Sequence, residues 1–524
     1  MESSTSKPFS RAGFLKELEL AGEWDIIIIG GGATGLGTAL DSASRGFKTL
    51  LLEQADFAKA TSSRSTKLVH GGVRYLAQGD IALVYEALHE RGTLIANASH
   101  LVHAQAFVIP CYDWISVMKY YAGLKLYDWL SGKLSFGKSE FLKAPDVLKA
   151  LPTIKPKGLK GGIRYYDGQF DDARLALNIA QTAAEHGATL LNYFKVTGLN
   201  KMDGRVSAVK AVDQENNKEY ILKAKVVVNA TGVFVDDILQ LDKPAAKPTV
   251  RPSQGTHIVL EPHFLQGTSA IMIPKTSDGR VLFAVPWHDH VVVGTTDTPL
   301  DAHSLEPRAL QQEVDFILDT AAQYLTPAPQ RKDIRSVFAG LRPLAAPDKN
   351  TQSTKEISRS HKITVSDSGL LTITGGKWTT YRKMAEDTVN RAIKLGELLY
   401  VPCTTKHLHI QGGDNERKAI ESLVKNKNEL ARRLSPNFSY QHADVIYAVR
   451  AEMARSIEDV LARRTRLLFL DARAAVQAAP VVAELMAEEL GRDKPWADAQ
   501  LESFRTVAFS YLNEQTISEI EQTL

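Results

Sequence analysis

The sequence is poor in cysteine and has no strong excess of either charge. Only Cys111 and Cys403 are cysteines among 524 residues, which excludes a disulfide framework and a four-cysteine metal site. Lysine and arginine number 63 against 60 aspartate and glutamate residues, a balance that excludes a general nucleic-acid binder. A chain of this length can stabilise itself with a large hydrophobic core. We therefore expect no metal site, no nucleic-acid partner and only local electrostatic function.

Long apolar runs are also missing. No stretch reaches the roughly 18 uncharged apolar residues that a membrane-spanning helix needs. Segment 1–24 mixes basic with acidic side chains, so it has neither the apolar core of a signal peptide nor the acid-poor character of a transit peptide. We expect the chain to remain in the cytoplasm without spanning a bilayer.

A strand–helix–strand unit is the first strong pattern that is present. Residues 25–30 form a short β-branched apolar run, which is typical of a buried parallel strand. A helix-compatible segment follows at 36–45, and residues 48–53 predict a second buried strand. This order of elements opens a doubly wound α/β sheet.

Between the two predicted strands lies the motif Gly30-x-Gly32-x-x-Gly35. Gly30 permits a tight turn, Gly32 lets backbone approach a pyrophosphate, and Gly35 allows close helix packing. The helix N-terminus favours the phosphate charge. Glu53 ends the second strand, where an acid hydrogen-bonds a ribose 2′-hydroxyl and would repel a 2′-phosphate. The motif predicts a bound dinucleotide, but its spacing does not separate flavin from nicotinamide.

The remaining strand patterns are spread along the chain. Three more buried strands are predicted for the same sheet, at 189–193, 225–229 and 370–374. Short apolar or alternating stretches predict a second, antiparallel sheet, at 257–260, 269–273, 280–286 and 290–294. Helical spacing dominates the end of the chain, for example at 443–469 and 498–512. We expect a dinucleotide-binding domain over 20–395, interleaved with a substrate-binding part mainly at 91–160 and 246–335, and a helical domain over 396–524.

Several motifs together resemble those of the FAD-dependent glycerol-3-phosphate dehydrogenases. They follow one another in that family's order: the segment 25–53, the segment 60–76 (ATSSRSTKLVHGGVRYL), Asn229-Ala-Thr-Gly232, Gly255-Thr-His257, Gly294-Thr-Thr-Asp297, Gly340-Leu-Arg-Pro343, 375–381 (GGKWTTY) and the helical segment 452–467. The resemblance covers nearly the whole chain. It implies an α/β fold with an FAD-binding, Rossmann-like domain of the glycine-oxidase type, interleaved with an antiparallel-sheet substrate domain.

The resemblance also implies which residues hold the flavin. Beside the glycine motif and Glu53, these are residues in three further loops: Thr61, Ser62, Ser63, Ser65 and Thr66 for the pyrophosphate and ring, Ala230 and Gly232 on the adenosine side, and Gly376, Lys377, Thr379 and Thr380 beside the pyrimidine part of the ring. Without the family match, a polar loop is the better interpretation of the threonines and serines at 61–66. The alternatives are an ordinary strand-to-loop turn at 230–232 and a helix cap at 376–380, where contact with the flavin is favoured.

The implied substrate is sn-glycerol 3-phosphate, oxidised to dihydroxyacetone phosphate. By the same resemblance, Arg342 and Arg359 bind the phosphate, and Arg74 is a third candidate; guanidinium forks suit a phosphate dianion. His257 is the first choice for the base that takes the hydroxyl proton, because imidazole titrates in the useful range. His70 is the alternative base, and Lys377 is placed to stabilise developing negative charge.

The electron acceptor and the cellular setting follow from the resemblance as well. The family passes electrons to membrane quinone, which favours peripheral attachment on the inner face of the cytoplasmic membrane. Segment 114–133 has an aromatic and basic composition that fits a membrane interface and fits a helix packed on the substrate domain equally well. The sequence leaves the oligomeric state open, a homodimer included.

Three other functions remain open at this stage. A glycerophosphate oxidase would share the motifs and reoxidise its flavin with oxygen. A related amine or 2-hydroxy-acid oxidase would use arginine to bind a carboxylate instead of a phosphate. A flavin-binding protein without turnover would act as an interaction platform.

Overall fold

The computed structural model of the protein describes residues 9–73, 80–274, 276, 279–345 and 360–522. Its strands are β1 (Glu23–Ile29), β2 (Thr49–Leu52), β3 (Leu68–Val69), β4 (His103–Cys111), β5 (Glu140–Lys143), β6 (Gly161–Gln169), β7 (Thr189–Leu191), β8 (Phe194–Met202), β9 (Arg205–Asp213), β10 (Lys218–Asn229), β11 (Val250–Leu260), β12 (Ala270–Ile273), β13 (Leu282–Trp287), β14 (His290–Gly294), β15 (Thr298–Pro299), β16 (Ser336–Ala345), β17 (His361–Val365) and β18 (Leu371–Gly375). Its α-helices are α1 (Arg11–Leu20), α2 (Ala33–Ser44), α3 (Ile81–Asn97), α4 (Trp114–Ser131), α5 (Ala144–Ala150), α6 (Asp172–Glu185), α7 (Val235–Asp242), α8 (Gln311–Tyr324), α9 (Tyr381–Leu395), α10 (Asp414–Asn426), α11 (His442–Glu452), α12 (Leu467–Leu470), α13 (Ala472–Leu490), α14 (Lys494–Phe509) and α15 (Glu514–Glu521).

The first sheet is built around the apolar run of β1. Residues 26–29 are buried, and β1 pairs in parallel with β2 on one side and β10 on the other. Six of its eight strands follow the order β17-β18-β10-β1-β2-β7, with β17 antiparallel at the edge, and β9 and β8 continue from β10. β10 is longer than predicted because its first half pairs with β9 in a hairpin. The predicted α/β sheet, assembled from distant segments, is confirmed.

The second sheet has the order β15-β11-β14-β13-β12-β4-β6-β3. The four predicted segments between 257 and 294 lie in β11, β12, β13 and β14. Most neighbours are antiparallel, whereas β4 pairs with β12 in parallel. β16 pairs with β11 along ten residues; β16 was not predicted from the sequence.

The helices after β18 do not follow one continuous pattern. The helical spacing across 443–469 is broken after α11, where Met453 has a left-handed backbone with φ of 55°. A short π-helix follows at Asp459–Arg464. Its arginines, Arg463 and Arg464, turn inward and form ion pairs with Asp56, next to the first sheet. These buried ion pairs attach the C-terminal helices to the first sheet and explain the break.

Within the described ranges, every helix falls short of the length and apolarity that crossing a bilayer demands.

Candidate active site

A cavity of about 820 Å³ lies where the two sheets meet. Its lining includes the carboxyl ends of β1, β2, β10 and β18 and residues of β4, β6, β11 and β16. Ligands of α/β proteins bind at the carboxyl ends of the strands, and ligand pockets measure roughly 300–1,000 Å³. This cavity is therefore the candidate site, and most of the residues predicted for it line its walls.

The glycine turn after β1 forms one end of the cavity. Gly30 has a φ of 111°, and a methyl group there would lie 2.7 Å from the carbonyl oxygen of Ala230. A methyl group on Gly35 would lie 1.9 Å from the carbonyl oxygen of Gly30. Gly32 is the N-cap of α2 and brings no capping side chain. The turn thus presents an open helix N-terminus, which attracts an anion.

Glu53 and Ser62 brace this turn from the side. The Gly31 amide donates to Glu53 Oε2 at 2.6 Å, and the Ala55 amide donates to Oε1 at 2.8 Å. Burial raises the pKa of Glu53, and the two amides oppose that shift. Ser62 Oγ accepts from the Ala33 amide at 2.9 Å. Both side chains face the cavity while fixing the backbone of the turn.

The hydroxyl-rich loop divides its side chains between the cavity and the interior. Thr61, Ser65 and Thr66 line the cavity together with Ser62. Ser63 is fully buried outside the cavity lining, and its hydroxyl faces the carbonyl oxygens of Lys59 and Ala60 at 3.5 Å. The side chain of Ser63 is therefore turned away from the position predicted for it.

The segments that follow β10 and β18 also contribute to the lining of the cavity. Ala230 and Gly232 follow β10 and line the cavity. Gly376, with a φ of 81°, and then Lys377 and Thr379 follow β18 and line it too. Thr380 is buried outside the lining, and its hydroxyl donates to the Lys377 carbonyl at 3.3 Å.

His257 lies in the middle of β11, at the cavity wall. Its Nε2 shares a hydrogen bond of 2.9 Å with Thr66 Oγ1, and its ring stacks on Phe338 with centroids 4.9 Å apart. Burial, together with the positive charges of Lys67 and Arg342, lowers the pKa of His257 well below its usual value. The imidazole is therefore neutral at physiological pH.

Arg342 lies on β16, against the backbone of β11. Its guanidinium donates to the carbonyl oxygens of Gln254 and Thr296 and to Thr295 Oγ1, at 3.0–3.3 Å, and forms an ion pair with Asp297 at 3.3 Å. A methyl group on Gly255 would lie 2.4 Å from Arg342 Nη2. Gly255 precedes His257 by two residues on the same strand face, so this glycine makes room for the guanidinium beside the imidazole.

A buried ion cluster stands behind the hydroxyl-rich loop. Lys67 Nζ donates to Asp172 Oδ2 at 2.8 Å, and Arg466 Nη2 donates to Asp172 Oδ1 at 2.9 Å. Both cations also donate to the Ser63 carbonyl. Burial lowers the pKa of Lys67 to about 7, with Arg466 adding to that shift and Asp172 opposing it. The sequence predicts no role for any of the three residues, because the residues that contact one another here lie up to several hundred positions apart in the chain.

The other predicted side chains divide into two groups. His70 and Lys377 line the cavity. Arg74 and Arg359 lie outside the described residues. Arg280, for which the sequence predicts no role, also lines the cavity.

The sequence matches two protein-family models. Residues 25–382 match "FAD dependent oxidoreductase", and residues 371–497 match "C-terminal domain of alpha-glycerophosphate oxidase". The mitochondrial glycerol-3-phosphate dehydrogenase of Schizosaccharomyces pombe is 36% identical over 98% of this chain and 91% of its own length. The human protein of the same name is 38% identical over 98% of this chain and 77% of its own length. The chain belongs to the FAD-dependent glycerol-3-phosphate dehydrogenase family.

Solved structures agree with this membership. The glycerol-3-phosphate dehydrogenase from Bacillus halodurans, complexed with FAD, matches with a TM-score of 0.76 and 30% identity, over 96% of this chain and 98% of that one. A glycine oxidase from Geobacillus kaustophilus shares the fold, with a TM-score of 0.56 and 16% identity over 75% of this chain and 99% of that one. The family and the glycine-oxidase type of fold predicted from the sequence are confirmed.

FAD is the cofactor of this family, and the cavity fits it. The glycine turn leaves no space for side chains at Gly30 and Gly35 and presents the N-terminus of α2 to the cavity, which suits a pyrophosphate. Glu53 stands at the end of β2, where a ribose hydroxyl belongs. The prediction of a flavin dinucleotide is confirmed.

Proposed function

We propose that the protein oxidises sn-glycerol 3-phosphate to dihydroxyacetone phosphate. The observation that carries the proposal is the placement of a neutral, buried His257 beside Arg342 in the cavity that also holds the glycine turn. A proton acceptor and an anion-binding fork are the two groups that this substrate needs beside a flavin. The names of the relatives, and of the Bacillus halodurans structure, support the same substrate.

The residues that hold the cofactor are proposed from their places around the cavity. The turn Gly30 to Gly35 takes the pyrophosphate, and Glu53 takes the ribose. The ring and its linker are held by residues of the three loops that line the cavity: Thr61, Ser62, Ser65 and Thr66, then Ala230 and Gly232, and then Gly376, Lys377 and Thr379. FAD, when bound, supplies the acceptor for the hydrogen on the substrate carbon.

The chain's own residues bind the substrate and take the proton. Arg342 binds the phosphate with a guanidinium already held in place by backbone carbonyls and by Asp297. We assign the hydroxyl proton to Nε2 of His257, because this atom already shares a hydrogen bond with Thr66 at the cavity wall. Its Nδ1 is buried without a hydrogen-bond partner among the described residues. Lys377 stabilises the negative charge that develops as the proton leaves.

The first test is the absorption spectrum of the purified protein under anaerobic conditions. Addition of glycerol 3-phosphate is expected to bleach the oxidised flavin band. Loss of the band would support cofactor, substrate and turnover together, and would exclude a flavin protein without activity. A band that stays oxidised with glycerol 3-phosphate but bleaches with an amine or a 2-hydroxy acid would overturn the substrate assignment. The rate of reoxidation then compares quinone with oxygen, and we propose quinone as the acceptor.

Helix α4 presents an apolar surface that fits the membrane where such a quinone resides. Val117, Leu124 and Tyr127 of this helix are buried against the second sheet. Its outer face exposes six large apolar side chains: Trp114, Ile115, Met118, Tyr121, Leu126 and Trp129. Trp114 is 56% exposed and Trp129 is 76% exposed. Exposed apolar patches of this kind mark interaction sites.

The charge around this helix favours an anionic lipid surface. Segment 113–160 contains nine lysines, no arginine and four acidic residues, whereas the whole chain carries a formal charge of only +3. The local excess of positive charge thus exceeds that of the entire protein. Aromatic side chains with flanking lysines bind the headgroup region of a bilayer. We therefore propose that α4 attaches the protein peripherally to an anionic membrane.

Vesicle flotation tests this attachment. The wild-type protein is expected to float with vesicles that contain anionic lipid, and the double variant Trp114→Ser, Trp129→Ser is expected to bind them about 10-fold less. The matched control is Leu399→Ser, Tyr400→Ser, which removes two apolar side chains that are 83% and 69% exposed, from a loop after α9, and should float like the wild type. A wild-type protein that stays at the bottom of the gradient would contradict the proposal.

Three further assignments remain proposals. We place the protein on the inner face of the cytoplasmic membrane, and a homodimer is compatible with that location. The organisation into an FAD-binding domain over 20–395, interleaved with a substrate-binding part mainly at 91–160 and 246–335, and a helical domain over 396–524 is supported by the two sheets and the C-terminal helices.

A further inference from the structure

Glu313 is a buried carboxylate in the first turn of α8, outside the lining of the cavity. Only 3% of its surface is exposed, and it accepts five hydrogen bonds, all from neutral donors. Oε1 accepts from Thr296 Oγ1 at 2.8 Å and from Thr298 Oγ1 at 2.6 Å. Oε2 accepts from Gln254 Nε2 at 2.7 Å, from Thr256 Oγ1 at 2.7 Å and from the Leu310 amide at 3.0 Å. A buried carboxylate that is satisfied by neutral donors in this way is costly to disturb.

The carboxylate is ionised in this environment. Burial acts to raise the pKa of Glu313, but the hydrogen bonds from the threonines, the glutamine and the backbone outweigh it and hold the pKa below the usual value. An ionised carboxylate offers acceptor sites only. Each of the surrounding hydroxyl and amide groups must therefore point its hydrogen toward Glu313, which fixes their orientation.

Two of these donors also hold Arg342. Thr296 donates its hydroxyl to Glu313 and accepts from Arg342 Nη2 with its carbonyl oxygen at 3.0 Å. Gln254 donates its side-chain amide to Glu313 and accepts from Arg342 Nη1 with its carbonyl oxygen at 3.3 Å. The backbone that receives the guanidinium is thus tied to Glu313 on both sides.

A third donor is the immediate neighbour of His257. Thr256 donates its hydroxyl to Glu313 and its amide to Thr296 Oγ1 at 2.9 Å. Successive side chains of a strand point to opposite faces, so anchoring Thr256 on one face of β11 sets the direction of His257 on the other. Glu313 is therefore connected to the imidazole of His257 through Thr256. It is connected to the guanidinium of Arg342 through Thr296 and Gln254.

We propose that Glu313 is a positioning residue that sets the geometry of Arg342 and His257 together. This inference rests on the proposed function, in which Arg342 binds the substrate phosphate and His257 takes its hydroxyl proton. A carboxylate that serves only to stabilise the fold would change the unfolding temperature when replaced and leave both steps as they are.

The principal variant is Glu313→Gln, which keeps the shape of the side chain and turns one acceptor into a donor. Rapid-mixing experiments under anaerobic conditions measure the substrate Kd and the limiting rate of flavin reduction. The variant is expected to bind FAD like the wild type, to raise the Kd about 10-fold and to lower the limiting rate about 10-fold, by analogy with supporting residues of other sites. The control, Asp315→Asn, removes an exposed carboxylate from the same helix and should behave like the wild type.

Two milder variants each remove a single hydroxyl of the network. Thr296→Val keeps the carbonyl that receives Arg342 but removes the hydroxyl that bonds both Glu313 and the Thr256 amide, so the substrate Kd is expected to rise and the limiting rate to fall. Thr256→Val is expected to lower the limiting rate more than it raises the Kd. If Glu313→Gln does not fold, these two variants still test whether the network around Glu313 affects substrate binding and flavin reduction. Wild-type values of both quantities in all folded variants would overturn the proposal.

Inorganic phosphate provides a readout that does not depend on turnover. Isothermal titration of phosphate into the FAD-loaded proteins reports on Arg342, and Glu313→Gln and Thr296→Val are expected to bind it about 10-fold more weakly than the wild type. A wild-type flavin that glycerol 3-phosphate does not reduce would overturn the proposed function, whereas equal phosphate affinities in the wild type and both variants would overturn the role of Glu313.

Discussion

Replacing His257 with asparagine is expected to slow flavin reduction by glycerol 3-phosphate about 10²- to 10⁴-fold, the range that a positioned general base contributes. The asparagine amide can keep a hydrogen bond to Thr66 but cannot accept the substrate proton. The FAD content of the variant should match that of the wild type, because His257 belongs to β11 and not to the loops proposed to hold the cofactor. Anaerobic rapid-mixing absorbance measures the rate directly.

Two comparisons make this result specific. His407→Asn changes an exposed histidine far along the chain and should leave the rate unchanged, whereas His70→Asn tests the alternative base. Since the pKa of His257 is lowered well below its usual value, protonation of this residue should not reduce the wild-type rate between pH 8 and about 6, the usual histidine range. Near-normal reduction by His257→Asn, with strong loss in His70→Asn, would move the base to His70.

Replacing Arg342 with methionine is expected to lower kcat/KM for glycerol 3-phosphate about 10²- to 10⁴-fold. A hydrogen bond to a charged group contributes about 1.5–3 kcal/mol, and a guanidinium fork can make two of them to a phosphate. Arg342→Lys should recover part of the loss, because an ammonium keeps the charge but not the fork. Steady-state kinetics over a range of substrate concentrations measure both variants.

The control for charge is Arg331→Met, which removes an exposed arginine bonded to Gln311 and Asp315 and should not change kcat/KM. A KM for Arg342→Met close to that of the wild type would show that the phosphate binds elsewhere. Arg280, which lines the same cavity, is then the next residue to replace.

The parts of the structure that the sequence predicts well are local. The glycine turn requires Gly30 and Gly35 because of contacts made within the unit 25–53, so the spacing carries the information. The same holds for the strand ends at Ala230 and Gly376. In each case a few neighbouring residues determine both the conformation and the placement at the carboxyl edge of the sheet.

The contacts inside the site join residues that are far apart in the chain, so the spacing of residues in the sequence does not predict them. Thr66 and His257 are 191 residues apart, and the pairing of β11 with β16, which brings Arg342 to Gly255, depends on a strand that the pattern did not reveal. Ser63 carries the same hydroxyl as Ser62, yet only the three-dimensional packing turns it away from the cavity. The family resemblance predicted roles for His257 and Arg342. The packing explains why residue 255 is a glycine, since a side chain there would collide with the Arg342 guanidinium.

The burial of Glu313 is a second feature that the sequence does not predict. As one acidic residue on an ordinary amphipathic helix it looks solvent-exposed in sequence, because α8 carries acidic residues on its outer face as well, such as Asp315. Its burial follows from the way α8 packs over β11, a contact that joins segments more than fifty residues apart. A pattern of single residue types does not contain that information.

The cluster of Lys67, Asp172 and Arg466 limits which C-terminal regions can be exchanged between members of this family. Arg466 belongs to the C-terminal helices, but its guanidinium helps to neutralise a carboxylate that also binds Ser65 in the hydroxyl-rich loop. The C-terminal region therefore cannot be exchanged independently of the rest of the chain. A C-terminal region taken from a distant relative must place an arginine at the position of Arg466, next to Asp172. Removing that arginine would leave Asp172 with Lys67 as its one remaining cationic partner among the described side chains, in a dry interior where charges must balance.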